Sequence, residues 1–149
     1  MSQQRAEILK ALKEKKVVGL VEPVKIIGKK RTIETLALLD TGATRSSVDL
    51  RIAAKAGLGP ITSVARIKSQ TEPKGYVRRA VVAGKLALAG ITKKVRFTLA
   101  DRLGMRYPVL VGRDVLHKDF IVDIEKTHDS FKLEDMKEHV ARQNKRSGA

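Results

Sequence analysis

The feature that most constrains this chain is an apolar run that ends on an acid. Thr32 to Leu39 leads directly into Asp40-Thr41-Gly42-Ala43-Thr44. A carboxylate at the end of a buried strand is costly unless it is hydrogen-bonded or shares a proton. Gly42 admits a close backbone approach, and Thr41 is small enough to pack beneath the loop. A catalytic acid exploits that setting. The tripeptide alone is a weak signal, because chance supplies it in roughly one chain in fifty of this length. The plain alternative is a turn between two strands.

The segments around it are short and rich in β-branched residues. Val17 to Val21, Val24 to Ile27 and Thr32 to Leu39 read as a hairpin turning at Gly28-Lys29-Lys30-Arg31, with its second arm delivering Asp40. Ile61 to Lys68 and Tyr76 to Leu88 read as strands joined across Ser69 to Gly75. Ile91 to Leu99 follows the Ala89-Gly90 turn, and Phe120 to Ile124 closes the series. Ser2 to Lys15 has helical spacing through Ala6, Ile8, Leu9 and Leu12, and Arg51 to Ala56 is a short helix stopped at Gly57. The prediction is an all-β or β-rich half-barrel with short helices. Its boundaries are an N-terminal helix over residues 1–16, a β domain over 17–124, and a basic, polar helical tail over 125–149.

At 149 residues, 42% of them hydrophobic and with no cysteine, the chain can bury one core without disulfides or thiolate metal sites. The N-terminus lacks the apolar core of a signal peptide, and no run reaches the about 20 apolar residues of a membrane span. The expected compartment is the cytoplasm, with no membrane partner. The net charge of +15 predicts attraction to polyanions. Between Arg66 and Arg106 stand 11 Lys and Arg against only Glu72 and Asp101. Solvated strand faces would explain that excess as well. The absence of Trp, with aromatics at 3%, argues against a base-stacking platform.

A second element changes the weight of the first. Val109-Leu110-Val111-Gly112-Arg113-Asp114-Val115-Leu116 is an apolar strand, a glycine and a short helix over Arg113 to Lys118. The pair resembles retroviral-type aspartic peptidases, in which a strand ending in Asp-Thr-Gly-Ala is followed near the domain's end by an apolar-apolar-Gly-Arg-x-x-Leu segment. The chain is similar in particular to the RimB-like family, often labelled "putative ATP-dependent zinc proteases" and associated with RimK-type glutamate ligases. That likeness runs through Leu39-Asp40-Thr41-Gly42-Ala43, Ser46, Ile67-Lys68-Ser69, Thr71-Glu72, Val77-Arg78-Arg79-Ala80-Val81-Val82, Tyr107 to Leu116 and Phe120-Ile121-Val122-Asp123.

The resemblance implies a retropepsin-like peptidase that is a homodimer, because one Asp40-Thr41-Gly42 per chain is half an active site. Two facing carboxylates share one proton, so that one activates water and the other donates to the substrate carbonyl. Thr41 would brace the two loops, with Ala43, Gly112 and Arg113 in support. Ser46 is either a hydroxyl that orients the dyad or an ordinary loop hydroxyl. Lys68, Ser69, Gln70, Thr71, Glu72 and Lys74, with Arg78 beyond them, occupy the family's flap, which clamps an extended peptide. If the cations face the cleft, the favoured peptide or protein substrate is acidic, such as a poly-glutamate tail.

No cofactor is expected. The histidines His117, His128 and His139 form no His-Glu-x-x-His pair, and there is no phosphate-binding glycine loop for ATP. Asp49 and Asp114 are expected at helix starts, and Asp123 at a strand end on the surface. The competing class is a non-catalytic retropepsin-like dimer that binds RNA, the ribosome or another polyanion through its basic surface.

Overall fold

The computed structural model describes residues 2–126. Helix α1 (Gln3–Glu14) starts at Ser2, whose hydroxyl accepts from Arg5 N at 3.2 Å, and it buries none of its side chains. The strands follow as β1 (Lys16–Val18), β2 (Val21–Ile27), β3 (Thr32–Leu39) and β4 (Ser47–Asp49). After helix α2 (Leu50–Ala56) come β5 (Ile61–Lys68), β6 (Tyr76–Leu88), β7 (Ile91–Ala100) and β8 (Val109–Val111). Helix α3 (Arg113–Leu116) and β9 (Phe120–Val122) complete the set. The anticipated tail helix, His128 and His139 lie outside the described residues.

Seven strands pair in the order β2-β3-β8-β4-β7-β6-β5, and β2 pairs again with β6. That second pairing closes six strands into a barrel and leaves β5 as a flange on β6. Closure removes the free edges that an open sheet would expose. The interior is filled by alternate strand residues, among them Ile26, Leu39, Val48, Leu86, Phe97, Val109 and Val111, all at most 2% exposed. Among the described residues no helix is long and apolar enough to cross a membrane.

The expected β-rich architecture is therefore present, with two differences in detail. The first arm of the hairpin is broken at Gly19-Leu20. Val17 and Val18 leave the barrel to pair in parallel with Ile121 and Val122 in a separate two-stranded sheet, β1-β9. Gly19 marks the break because a side chain there would overlap the Lys126 carbonyl. The second difference is β4, three residues wedged between β8 and β7. Three residues are too short to show a period, so no local pattern announces this strand.

Helix α2 ends as expected, with Gly57 at φ +74° and its N–H on Ala53 and Ala54 carbonyls. It begins on Asp49, whose carboxylate accepts from Arg51 N at 3.0 Å and from Arg102 N at 2.8 Å. Burial by itself would raise the Asp49 carboxyl. The two backbone donors and the Arg51 guanidinium, 2.7 Å away, outweigh it and hold the group below its ordinary range. The capping role expected of Asp49 is what the structure shows.

Candidate active site

The site is built where β3 and β8 end together. These strands run parallel, with Ala37 opposite Val109, Leu38 opposite Leu110 and Leu39 opposite Val111. The next pair in that register is Asp40 and Gly112. Asp40 N donates to Val111 O at 2.8 Å, so the backbone bearing the carboxylate is an extension of the ladder. The turn then tightens on itself. Gly42 N donates to Asp40 Oδ1 at 2.9 Å, and Ala43 N to Asp40 O at 3.2 Å. Asp40 is half-buried, whereas Thr41 and Gly42 are exposed at the loop's crest.

The segment after β8 holds this loop from below. Arg113 N donates to Ala43 O at 2.8 Å, and the Arg113 guanidinium reaches Thr41 O at 3.3 Å and Thr44 Oγ1 at 3.0 Å. Gly112 passes so close that a Cβ would lie 2.8 Å from the Arg45 carbonyl and 2.9 Å from Ala43 O. Its N–H donates to Ser46 Oγ at 3.0 Å. Ser46 is fully buried and donates in turn to Asp114 Oδ1 at 2.7 Å, while Ser46 N donates to Asp114 Oδ2 at 3.1 Å.

One sequence reading changes here and a second gains a further role. Ser46 is neither a loose loop hydroxyl nor, in this chain, a partner of Asp40; its bonds run to Gly112 and Asp114. Asp114 stands in the first turn of α3 as expected and accepts Val115 N at 2.9 Å, and the same carboxylate also braces the Ser46 loop. Asp123 is exposed after β9, as expected of a surface acid. His117 is exposed too, and among the described residues no three His, Asp or Glu side chains cluster as a metal site would require.

Above the loop lies a cavity of about 600 Å³ between Gly42-Ala43-Thr44-Arg45 and the β5 residues Arg66-Ile67-Lys68. Lys68 thus shares a cavity with the Gly42 to Arg45 part of the loop, while Asp40 and Thr41 do not line it. Ser69, Gln70, Thr71, Glu72 and Lys74 form the tip of the β5–β6 hairpin, closed by Ser69 N on Gly75 O at 3.1 Å, and do not line that cavity. Arg78 sits on β6 directly opposite Arg66. Thr98 closes the floor at 2% exposure, and its hydroxyl has no hydrogen-bond partner among the described residues.

Sequence reasoning did not single out Arg45, Arg66 or Thr98 as site residues. Arg66 could have been found, since residues two apart on a strand share a face and Lys68 was already assigned to the flap. Arg45 lies in an irregular loop that carries no such period.

A β-barrel that carries an Asp-Thr-Gly loop braced by a Gly-Arg segment defines a retropepsin-like domain. The family described as RimB-like, retropepsin-like aspartic endopeptidase RimB, matches residues 51–130, and this chain belongs to that family. The matched span begins beyond Asp40, at Arg51. Among solved structures, a Legionella pneumophila protein of unknown function (DUF785) is 19% identical, with a TM-score of 0.52 over 77% of this chain and 98% of that one. The EIAV protease complexed with the inhibitor HBY-793 is 24% identical, with a TM-score of 0.51 over 64% of this chain and 83% of that one. A foamy viral protease-reverse transcriptase is 17% identical, with a TM-score of 0.53 over 85% of this chain and 17% of that one. At these identities the structures show a shared fold. None of the curated proteins matches the chain.

Proposed function

We propose that this chain is an aspartic peptidase whose active site forms when two copies face each other and each presents Asp40. The observation that carries the reading is the bracing of a half-exposed carboxylate. Gly42 N holds Asp40 Oδ1, and the Gly112-Arg113 segment holds the backbone beneath it. Catalysis needs a group kept in place before substrate arrives, and this loop is fastened at both ends. With two carboxylates in close contact, one proton is shared between them. The ionised carboxylate takes a proton from water as that water attacks the peptide carbonyl, and the protonated one donates to the carbonyl oxygen.

The favoured substrate is an acidic peptide. Arg45, Arg66 and Lys68 line the cavity over the loop, and no Asp or Glu lines it. Arg66 and Arg78 are direct cross-strand partners, an arrangement that repels unless an anion sits between or above them. The Arg66 guanidinium stacks 4.8 Å from the Tyr76 ring, which keeps it along the strand.

The test is peptide cleavage by wild type and Asp40→Asn, side by side, with oligo-glutamate and neutral peptides and with dimer mass checked for both proteins. Cleavage is expected from wild type alone, faster on the acidic peptide, with that preference fading as salt rises. Equal activity of the two proteins, or none from either, would sink the peptidase reading. The basic surface as a binding face for RNA or ribosome would then stand in its place.

A further inference from the structure

The cavity beside the Asp40 loop, lined by Gly42 to Arg45, does not end at its own walls. A second groove of about 440 Å³ shares Thr44 and Arg45 with it and continues to Lys94 and Arg96 on β7. A third, of about 580 Å³, shares Lys94, Val95 and Arg96 with the second and reaches Lys29 and Lys85 over a floor that includes Gly57 and Gly84. The three form one track from the Asp40 loop to the far end of the barrel. Thr98 in the cleft and Lys94 in both outer grooves are four residues apart along β7, about 13 Å, or about four residues of extended peptide.

The charges on this track break a local rule. Lys85 on β6 and Lys94 on β7 are direct cross-strand partners, and Arg96 follows Lys94 on the same exposed face. Like charges placed opposite one another destabilise a sheet. Among the described residues Lys29, Lys85, Lys94 and Arg96 enter no ion pair, although Lys25, Arg51 and Lys93 elsewhere do. The single carboxylate on the track, Asp114, is already bonded to Ser46. Where a Cβ on Gly59 would stand, at the mouth of the third groove, nothing lies within 4 Å, so the end of the track is open.

We propose that this track is an exosite for the acidic polypeptide that continues out of the cleft, so that the enzyme selects long anionic chains over short ones. The proposal rests on the acidic-peptide reading above and adds a second site to it. Polypeptide is favoured over RNA because no aromatic side chain lines any of the three grooves, and bases would find nothing to stack on. Continuity with the cleft points the same way.

The experiment uses the double variant Lys94→Glu/Arg96→Glu, whose side chains are exposed and whose backbone pairing is untouched. With a long oligo-glutamate peptide, KM is expected to rise about tenfold with kcat unchanged, since two favourable contacts become repulsive. With an acidic peptide of about three residues, about 10 Å when extended and so short of the about 13 Å to Lys94, KM should not move. An equal rise for both peptides, or no rise for either, overturns the exosite. A separate arm measures fluorescence anisotropy of the labelled long peptide with Asp40→Asn and with the triple variant Asp40→Asn/Lys94→Glu/Arg96→Glu. It requires no turnover, so it decides the exosite even if the peptidase reading fails. Weaker binding by the triple variant supports the exosite, and equal binding overturns it. Single-stranded RNA of equal charge that binds Asp40→Asn more tightly than the peptide would overturn the polypeptide assignment.

Discussion

Ser46 and Asp114 are 68 residues apart in sequence, and the serine hydroxyl donates to the aspartate at 2.7 Å. The same hydroxyl accepts Gly112 N at 3.0 Å, and the serine's own N–H donates to the other carboxylate oxygen at 3.1 Å. A buried side chain therefore ties the Asp40 loop to the segment that follows β8. Each group in the knot satisfies another, which is what makes polar groups tolerable at this depth.

Removing the hydroxyl leaves the Gly112 N–H buried without its partner. Ser46→Ala is expected to cost about 1–3 kcal/mol of folding stability, read from urea denaturation. Cleavage should fall further than the loss of folded protein explains, because the loop carrying Asp40 loses an anchor. Unchanged stability would mean that water or a shifted backbone replaces the bond at no cost.

Gly112 is constrained by space. A methyl group there would sit 2.8 Å from the Arg45 carbonyl and 2.9 Å from Ala43 O, both of them backbone. Gly112→Ala is expected to push the Asp40 loop off β8 and to destabilise by about 1–3 kcal/mol, as overpacking does. Thermal melting gives the stability, and amide exchange at Asp40, whose N–H bonds Val111 O, reports the shift. Native protection of that amide in the variant would contradict the account.

Asp49 sets an acid limit. Its carboxyl is lowered from the ordinary 3.8 in the folded chain, so the folded state binds its proton less readily than the unfolded one. The stability it contributes is present above the unfolded value, about pH 4, and is lost as pH falls through the folded value. Asp49→Asn keeps a capping side chain but removes the charge, so its stability should vary less with pH below about pH 4 than that of wild type. Parallel denaturation curves for the two proteins across that window would refute this.

Much of the barrel was legible one element at a time. The strands Ile61–Lys68 and Tyr76–Leu88 stand where β-branched composition and flanking turn residues put them, and α2 stops at its glycine. What local pattern could not carry was partnership. Val17 and Val18 read as the start of a hairpin because their composition is that of any strand, yet their partner lies beyond residue 119. Strand β4 was hidden by its length. Asp114 reads as a helix-start acid and does accept Val115 N, but only the folded chain shows that it also braces Ser46.

By itself the sequence determined that an apolar strand must end on Asp40-Thr41-Gly42 and that a second apolar strand must end on Gly112-Arg113. Both are local facts of hydrophobicity and chain flexibility. Tertiary structure alone decided that the two strands lie side by side in parallel, with Gly112 beneath the acid's loop and Arg45, Arg66 and Lys68 around one cavity. Strand register depends on contacts between residues distant in the chain, and the spacing of neighbours along one strand holds no record of which strand will lie beside it.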